Sequence, residues 1–220
     1  MRSPKLVVGA RTFAAATTLA VALVALLIVV GRVGLPEIRT SPALPTHRTF
    51  KGSPDAPITI VEYSDFLCHF CQLFATTTGK ELERAYIETG KVRLEYRHFP
   101  IFGAESVWAA LASECAADQG RFWPYHDRLM AAATGSQPGD LTVDKLKGLA
   151  RETGLDMEAF TACLDSRKYM EKVIRDYEAG KEAGVRATPT FFINGQRVAG
   201  AQPYEAFQSL IEVLLGKPGQ

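Results

Sequence analysis

Hydrophobic and polar positions change rhythm several times along the chain. Residues 13–30, FAAATTLAVALVALLIVV, carry no charged side chain. As a helix, about 18 such residues rise about 27 Å, close to the hydrocarbon thickness of a bilayer. The expectation is a transmembrane signal-anchor. Pro36, Pro42, Pro45, Pro54 and Pro57 follow, a density that blocks regular helix and central strand. Residues 31–46 therefore read as a Pro-rich linker, and a folded domain is expected over 47–220.

Within that domain ITIVEY, residues 58–63, has the β-branched content of a buried strand, with Glu62 its one charge. Phe70, Leu73 and Phe74, then Leu82, Ala85 and Tyr86, fall at helical spacing, and Thr77, Thr78 and Gly79 between them mark a kink. Val92, Leu94 and Tyr96 alternate with Arg93, Glu95 and Arg97, as a strand with one solvated side does.

From about 103 to 184 the period turns helical. Trp108, Leu111, Ala112 and Cys115 share a face; Phe122, Tyr125 and Leu129 mark a second helix, and Leu146, Leu149 and Ala150 a third. Asp156 can cap a fourth, with Phe160, Cys163 and Leu164 on one side, and Tyr169, Val173, Ile174 and Tyr177 mark a fifth. TPTFFI and QRV then flank Asn194-Gly195, a strong hairpin signal. A last helix, from about Pro203 to Leu215, has Phe207, Leu210, Ile211 and Leu214 as its stripe. The order predicts an α/β core carrying a helical insertion.

Charge adds orientation. Arg2, Lys5 and Arg11 precede the apolar run, so residues 1–12 are expected in the cytoplasm and everything after Arg32 across the membrane. That places the protein in the cell membrane, single-pass, with an extracytoplasmic C-terminal domain. A cleaved signal peptide is the alternative, but VVGRVGLPEI offers no small-x-small cleavage site. A buried core helix is disfavoured because the run is apolar on every face. With 25 basic and 24 acidic side chains, the net charge of +1 gives no reason to expect a nucleic-acid partner.

The candidate chemistry lies in DFLCHFC, residues 65–71. Between a strand and a helix, Cys68 would meet the unpaired N–H groups and the dipole of the helix N-terminus, which favour a thiolate. Cys71, one turn further in, would be shielded. One sulfur then becomes an accessible nucleophile and the other its resolving partner. His69, when protonated, would stabilise the Cys68 thiolate further; a solvated spacer is its alternative role. A zinc site formed by Cys68, His69 and Cys71 would need more ligands, and the sequence has no second CxxC and no HxxxH. Neither a metal nor a cofactor is expected.

Together these features resemble the thioredoxin fold, specifically the DsbA-type thiol-disulfide oxidoreductases with a helical insertion. GSPDAPITIVEYSDFLCHFC, YRHFP (96–100), RFWPYHDRLM (121–130) and GVRATPTFFINGQRVAG (184–200) look like family segments in family order. The resemblance implies that Thr188-Pro189 is a cis-proline loop facing the active cysteines and pairing with extended substrate. It implies that Glu62 is a buried acid beneath Cys71, with a raised pKa and a part in proton exchange; a structural ion pair with Lys or Arg is the alternative. His98 and His126 are expected as structural histidines, and Trp123 as core packing. His-Phe stands between the cysteines where the best-known oxidases have Pro-His, and Thr188 stands where they have valine, so oxidising strength and substrate preference do not transfer directly.

In an oxidising compartment Cys115 and Cys163, on apolar helix faces, are expected to form a structural disulfide, with two free buried thiols as the alternative. The functional expectation is a membrane-tethered monomeric oxidase acting on reduced or unfolded exported proteins. A DsbB- or VKOR-type membrane partner would regenerate it. A reductase or isomerase using the same cysteines, a metal-binding module, and a scaffold without redox work are the rivals.

Overall fold

Ile58, Thr59, Ile60 and Val61 suit a pleated, buried backbone, and the long central strand forms there. The computed structural model describes residues 49–135 and 139–216. The expected cytoplasmic segment (1–12), membrane helix (13–30) and linker (31–46) lie outside the described residues. Among the described residues no helix is long and apolar enough to cross a membrane.

The chain runs β1 (Phe50–Lys51), β2 (Ile58–Ser64), α1 (His69–Thr76), α2 (Thr78–Leu82) and β3 (Val92–His98), with a π-helical turn, Glu83–Ile87, extending α2. Five helices follow: α3 (Ala104–Asp118), α4 (Phe122–Ala133), α5 (Val143–Glu152), α6 (Met157–Asp165) and α7 (Met170–Glu182). The hairpin β4 (Thr190–Ile193) and β5 (Gln196–Ala199) and then α8 (Tyr204–Leu214) complete it. The sheet order is β1-β3-β2-β4-β5, with β2 and β3 parallel and the other pairings antiparallel. This is a thioredoxin-like α/β fold with α3–α7 inserted between β3 and β4.

Strand alternation divides the side chains between two layers. Ile58, Ile60, Leu94, Phe191 and Ile193 pack with Phe74 of α1, Leu82 of α2, and Phe207 and Ile211 of α8. Tyr63 joins Phe99 and Val185 on the other side, with Tyr177 of α7 against them. There α7 comes close because residue 180 is glycine: a Cβ would sit 2.7 Å from Phe99 Cδ2 and 2.9 Å from Tyr63 Cδ1.

The helix after the cysteines breaks where the sequence suggests, at Thr77, whose φ of −120° and ψ of −96° are not helical. The expected face is corrected, however. Phe70 and Leu73 are 58% and 42% exposed, while Cys71, Gln72 and Phe74 turn inward. Hydrophobicity alone had grouped Phe70 and Leu73 with Phe74, but the inward direction is set by the sheet beneath Cys71. Ile174 is likewise 51% exposed beside buried Val173.

The insertion is tied to the sheet by buried charge. His98 Nε2 lies 2.8 Å from Glu114 Oε1, and the Lys172 ammonium is 3.2 Å from Glu114 and 2.6 Å from Asp176. Asp176 also accepts the His98 amide at 3.2 Å, so β3, α3 and α7 share one network. Cys115 of α3 and Cys163 of α6 are bonded, with Cα atoms 5.8 Å apart.

Candidate active site

The sharp passage from β2 into α1 is organised by Asp65. Its buried carboxylate accepts Leu67 N at 2.8 Å and the Ser106 hydroxyl at 2.8 Å through Oδ1, and Ile101 N at 2.7 Å and Phe102 N at 3.2 Å through Oδ2. Its carbonyl accepts Cys68 N at 3.1 Å. Burial raises the Asp65 pKa while these donors oppose the rise. Gln72 adds a second clamp by donating Nε2 to Phe66 O at 2.9 Å. The cysteine loop is thereby fixed to the segment after β3.

Cys68 is the N-cap of α1, and its carbonyl accepts the amides of Cys71 and Gln72, both at 3.0 Å. Its thiol donates to Thr188 O at 3.2 Å, and the Thr188–Pro189 peptide beside it is cis. A hydrogen bond from the Cys71 side chain lowers the Cys68 pKa to about 6, against desolvation and with help from Thr188 and the backbone amides of Cys71 and Phe70. The buried Thr188 hydroxyl has no conventional partner in this dithiol form. It is the donor left for the sulfur once the thiol proton is gone. Cys71 is fully buried and its pKa is pushed well up, first by desolvation and then by Cys68.

Strand alternation places Glu62 and Ser64 on the face of β2 that carries Ile58 and Ile60, beneath α1. Glu62 is 2% exposed and its Oε1 has no hydrogen-bond partner. Burial raises its pKa to about 7; Ser64 and Lys51 pull it down, and Cys68 adds to the rise. The alternative ion pair does not form, because Lys51 Nζ bonds Glu83 at 2.7 Å and lies over the Trp123 ring.

The structure thus brings Cys68, Cys71, Glu62, Thr188 and Pro189 together. His69 is exposed, with its ring edge-on to Phe70 at 5.7 Å. The expected accessibility of Cys68 needs correcting: the residue is 3% exposed, since the buried Thr188-Pro189 loop covers it. Cys115 and Cys163 belong to the insertion, on other helices. Asp65 was missed, because its partners at 101, 102 and 106 are distant in sequence; the only local signal was an acid just ahead of the FLCHFC turn. His98, Glu114 and Asp176 lie close enough to hold a metal ion, but the Lys172 ammonium already bridges the two carboxylates and Arg97 pairs with Asp176 as well.

Known proteins match this arrangement. The family profile described as thioredoxin matches residues 45–213. An Na(+)/H(+) antiporter NhaA of Herminiimonas arsenicoxydans is 36% identical over 81% of this chain, but the chain spans only 27% of that protein's length. Disulfide bond formation protein D of Bacillus subtilis is 28% identical over 81% of this chain and 79% of its own. Among solved structures, oxidised BdbD of Bacillus subtilis superposes with a TM-score of 0.73 at 26% identity, covering 76% of this chain and 92% of that one. Wolbachia pipientis alpha-DsbA1 gives 0.70 at 26% identity, covering 76% and 90%. The chain belongs to the thioredoxin family, among the DsbA-type thiol-disulfide oxidoreductases.

Proposed function

We propose that the Cys68/Cys71 pair introduces disulfides into exported proteins. A substrate thiolate attacks Cys68 Sγ of the oxidised pair, the S–S bond breaks, and Cys71 leaves as a thiolate that takes up a proton. A second substrate thiolate then attacks the substrate sulfur of the mixed disulfide and expels the Cys68 thiolate. The substrate loses two electrons and the protein gains them. One observation carries the direction: Cys68 sits at a helix N-terminus with the Cys71 side chain and Thr188 directed at its sulfur. A stabilised thiolate is a good leaving group and favours the reduced form of the protein, which makes its disulfide oxidising.

Thr188 and Pro189 bind the extended substrate beside Cys68. Phe70 and Leu73 on α1, and Ile101 and Phe102 on the loop held by Asp65, offer exposed apolar side chains to unfolded chains. The uncharged run at 13–30, with basic residues ahead of it, supports a single membrane anchor that places the domain outside the cytoplasm. A DsbB- or VKOR-type membrane protein would reoxidise the pair, and the chain works as a monomer. Oxidative refolding of a reduced, unfolded disulfide protein, with glutathione disulfide in excess, tests this. Catalytic amounts of the chain should speed the appearance of native disulfides; speeds equal to the uncatalysed reaction would overturn the oxidase reading.

A further inference from the structure

Cys71 has to exchange a proton each time the pair opens or closes, yet it is fully buried. The structure holds a row of polar groups leading away from it. The Ser64 hydroxyl is buried without a conventional partner, and it acts on Cys71, on Glu62 and on Tyr96 of β3 alike. Beyond Glu62 lies a small crevice, about 20 Å³ to the centre of a water and so room for about one, whose lining includes Glu62, His126, Lys51, Lys80, Glu83 and Asp127. Two polar atoms of these buried lining residues are unpartnered, Glu62 Oε1 and His126 Nε2. A water between them would gain the polar partners that an internal water requires.

His126 is 4% exposed, and its Nδ1 lies 2.9 Å from Asp127 Oδ1. Its pKa is lowered by burial, with Asp127 opposing and Lys51 and Lys80 adding to the fall. The neutral ring therefore donates from Nδ1 to Asp127 and leaves Nε2 as an acceptor. At the mouth, Lys80 Nζ is 2.6 Å from Asp127 Oδ2, and their side chains are 43% and 37% exposed. The charged and titratable groups around Glu62 are Lys51 of β1, Cys68, Cys71 beyond Ser64, and Tyr96; around His126 they are Asp127, Lys51 and Lys80.

We propose that this crevice is the proton route for Cys71: Ser64 links the sulfur to Glu62, and water in the crevice links Glu62 to His126 and so to solvent beside Lys80 and Asp127. The proposal rests on the redox-pair reading above. When substrate opens the disulfide, the bond's electron pair leaves on Cys71 Sγ. That thiolate takes the Glu62 proton through the Ser64 hydroxyl, and Glu62 regains one from solvent through the crevice water, which His126 Nε2 holds in line by accepting its hydrogen bond. On reoxidation the same proton runs outward. Ser64 and His126 are positioning and relay residues here, since neither exchanges sulfur bonds.

The test uses the reduced full chain and Ellman's reagent. Cys68 attacks the reagent and releases a first thionitrobenzoate; Cys71 then loses its proton, attacks Cys68 Sγ and releases a second. The first release tests the redox pair, and the second tests the route. Ser64→Ala and His126→Phe should each slow only the second release, by about tenfold at neutral pH, which is below the usual worth of a direct acid or base because the relay acts at one remove. Both should flatten its pH dependence near neutrality, and added imidazole should restore the rate in His126→Ala. Ser64→Ala removes a hydroxyl that has no conventional hydrogen-bond partner, so its fold is expected to persist where a His126 variant could fail. A second release at wild-type rate and pH dependence in Ser64→Ala, or in a folded His126→Phe, overturns the route. Loss of the first release in the wild-type chain would instead count against the redox pair.

Discussion

The four cysteines form two pairs that differ in everything but their atoms. Cys68 and Cys71 stand one turn apart at the start of α1, unbonded, above Glu62 and beside the Thr188 carbonyl. Cys115 and Cys163 are 48 positions apart on α3 and α6, bonded, with Ala116 and Ala117 following Cys115 in the packed insertion. The first pair meets donors that favour a thiolate at Cys68 and lies above a buried acid whose pKa is raised. The second meets mainly packing, with a weak approach of Cys163 Sγ to Asp118 at 3.8 Å. The environment, not the residue, separates a reactive sulfur from a staple.

Substitution should split the pairs cleanly. Cys68→Ser removes the attacking sulfur, so disulfide exchange should fall by more than about 10³-fold while thermal stability holds. The double change Cys115→Ala with Cys163→Ala should do the reverse. Opening that loop should cost about 4 kcal/mol in denaturant titrations, with the rate of exchange retained at temperatures where the chain stays folded.

Acidity sharpens the contrast next. The folded pKa of Glu62 lies near 7, above the ordinary value of 4.5 that it regains on unfolding. Between those pH values the folded chain keeps a proton that the unfolded chain has lost, so stability falls as pH rises. The contribution is complete below about pH 4.5 and is lost by about pH 7, an interval worth about 3 kcal/mol. Glu62→Gln should flatten that part of the stability profile. The same profile should be unchanged by opening the insertion's disulfide. The smallest effect is expected at Phe70→Ser, where the side chain is 58% exposed. Stability should move by less than about 0.5 kcal/mol, while KM for an apolar peptide substrate rises with kcat unchanged.

Much of this was legible in the sequence because it depends on neighbours along the chain. The β-branched run gave β2, Asn194-Gly195 gave the β4–β5 turn, and helical spacing gave the five inserted helices. The placing of Cys68 and Cys71 at the start of α1 was legible for the same reason, as CxxC between strand and helix. What stayed hidden depends on contacts between distant segments. The four donors that converge on Asp65 come from positions 67, 101, 102 and 106. His126 reads as one more buried histidine on an amphipathic helix until the fold sets its Nε2 in the crevice of Glu62. Phe70 and Leu73 look like core by hydrophobicity, and only the sheet's position shows that they face outward.

The most direct test is the equilibrium reduction potential of the Cys68/Cys71 pair in the full chain, titrated against glutathione buffers. A stabilised Cys68 thiolate predicts a value near about −120 mV, that of a strong oxidant. A value near about −270 mV, that of thioredoxin, would contradict it and make the pair a reductant.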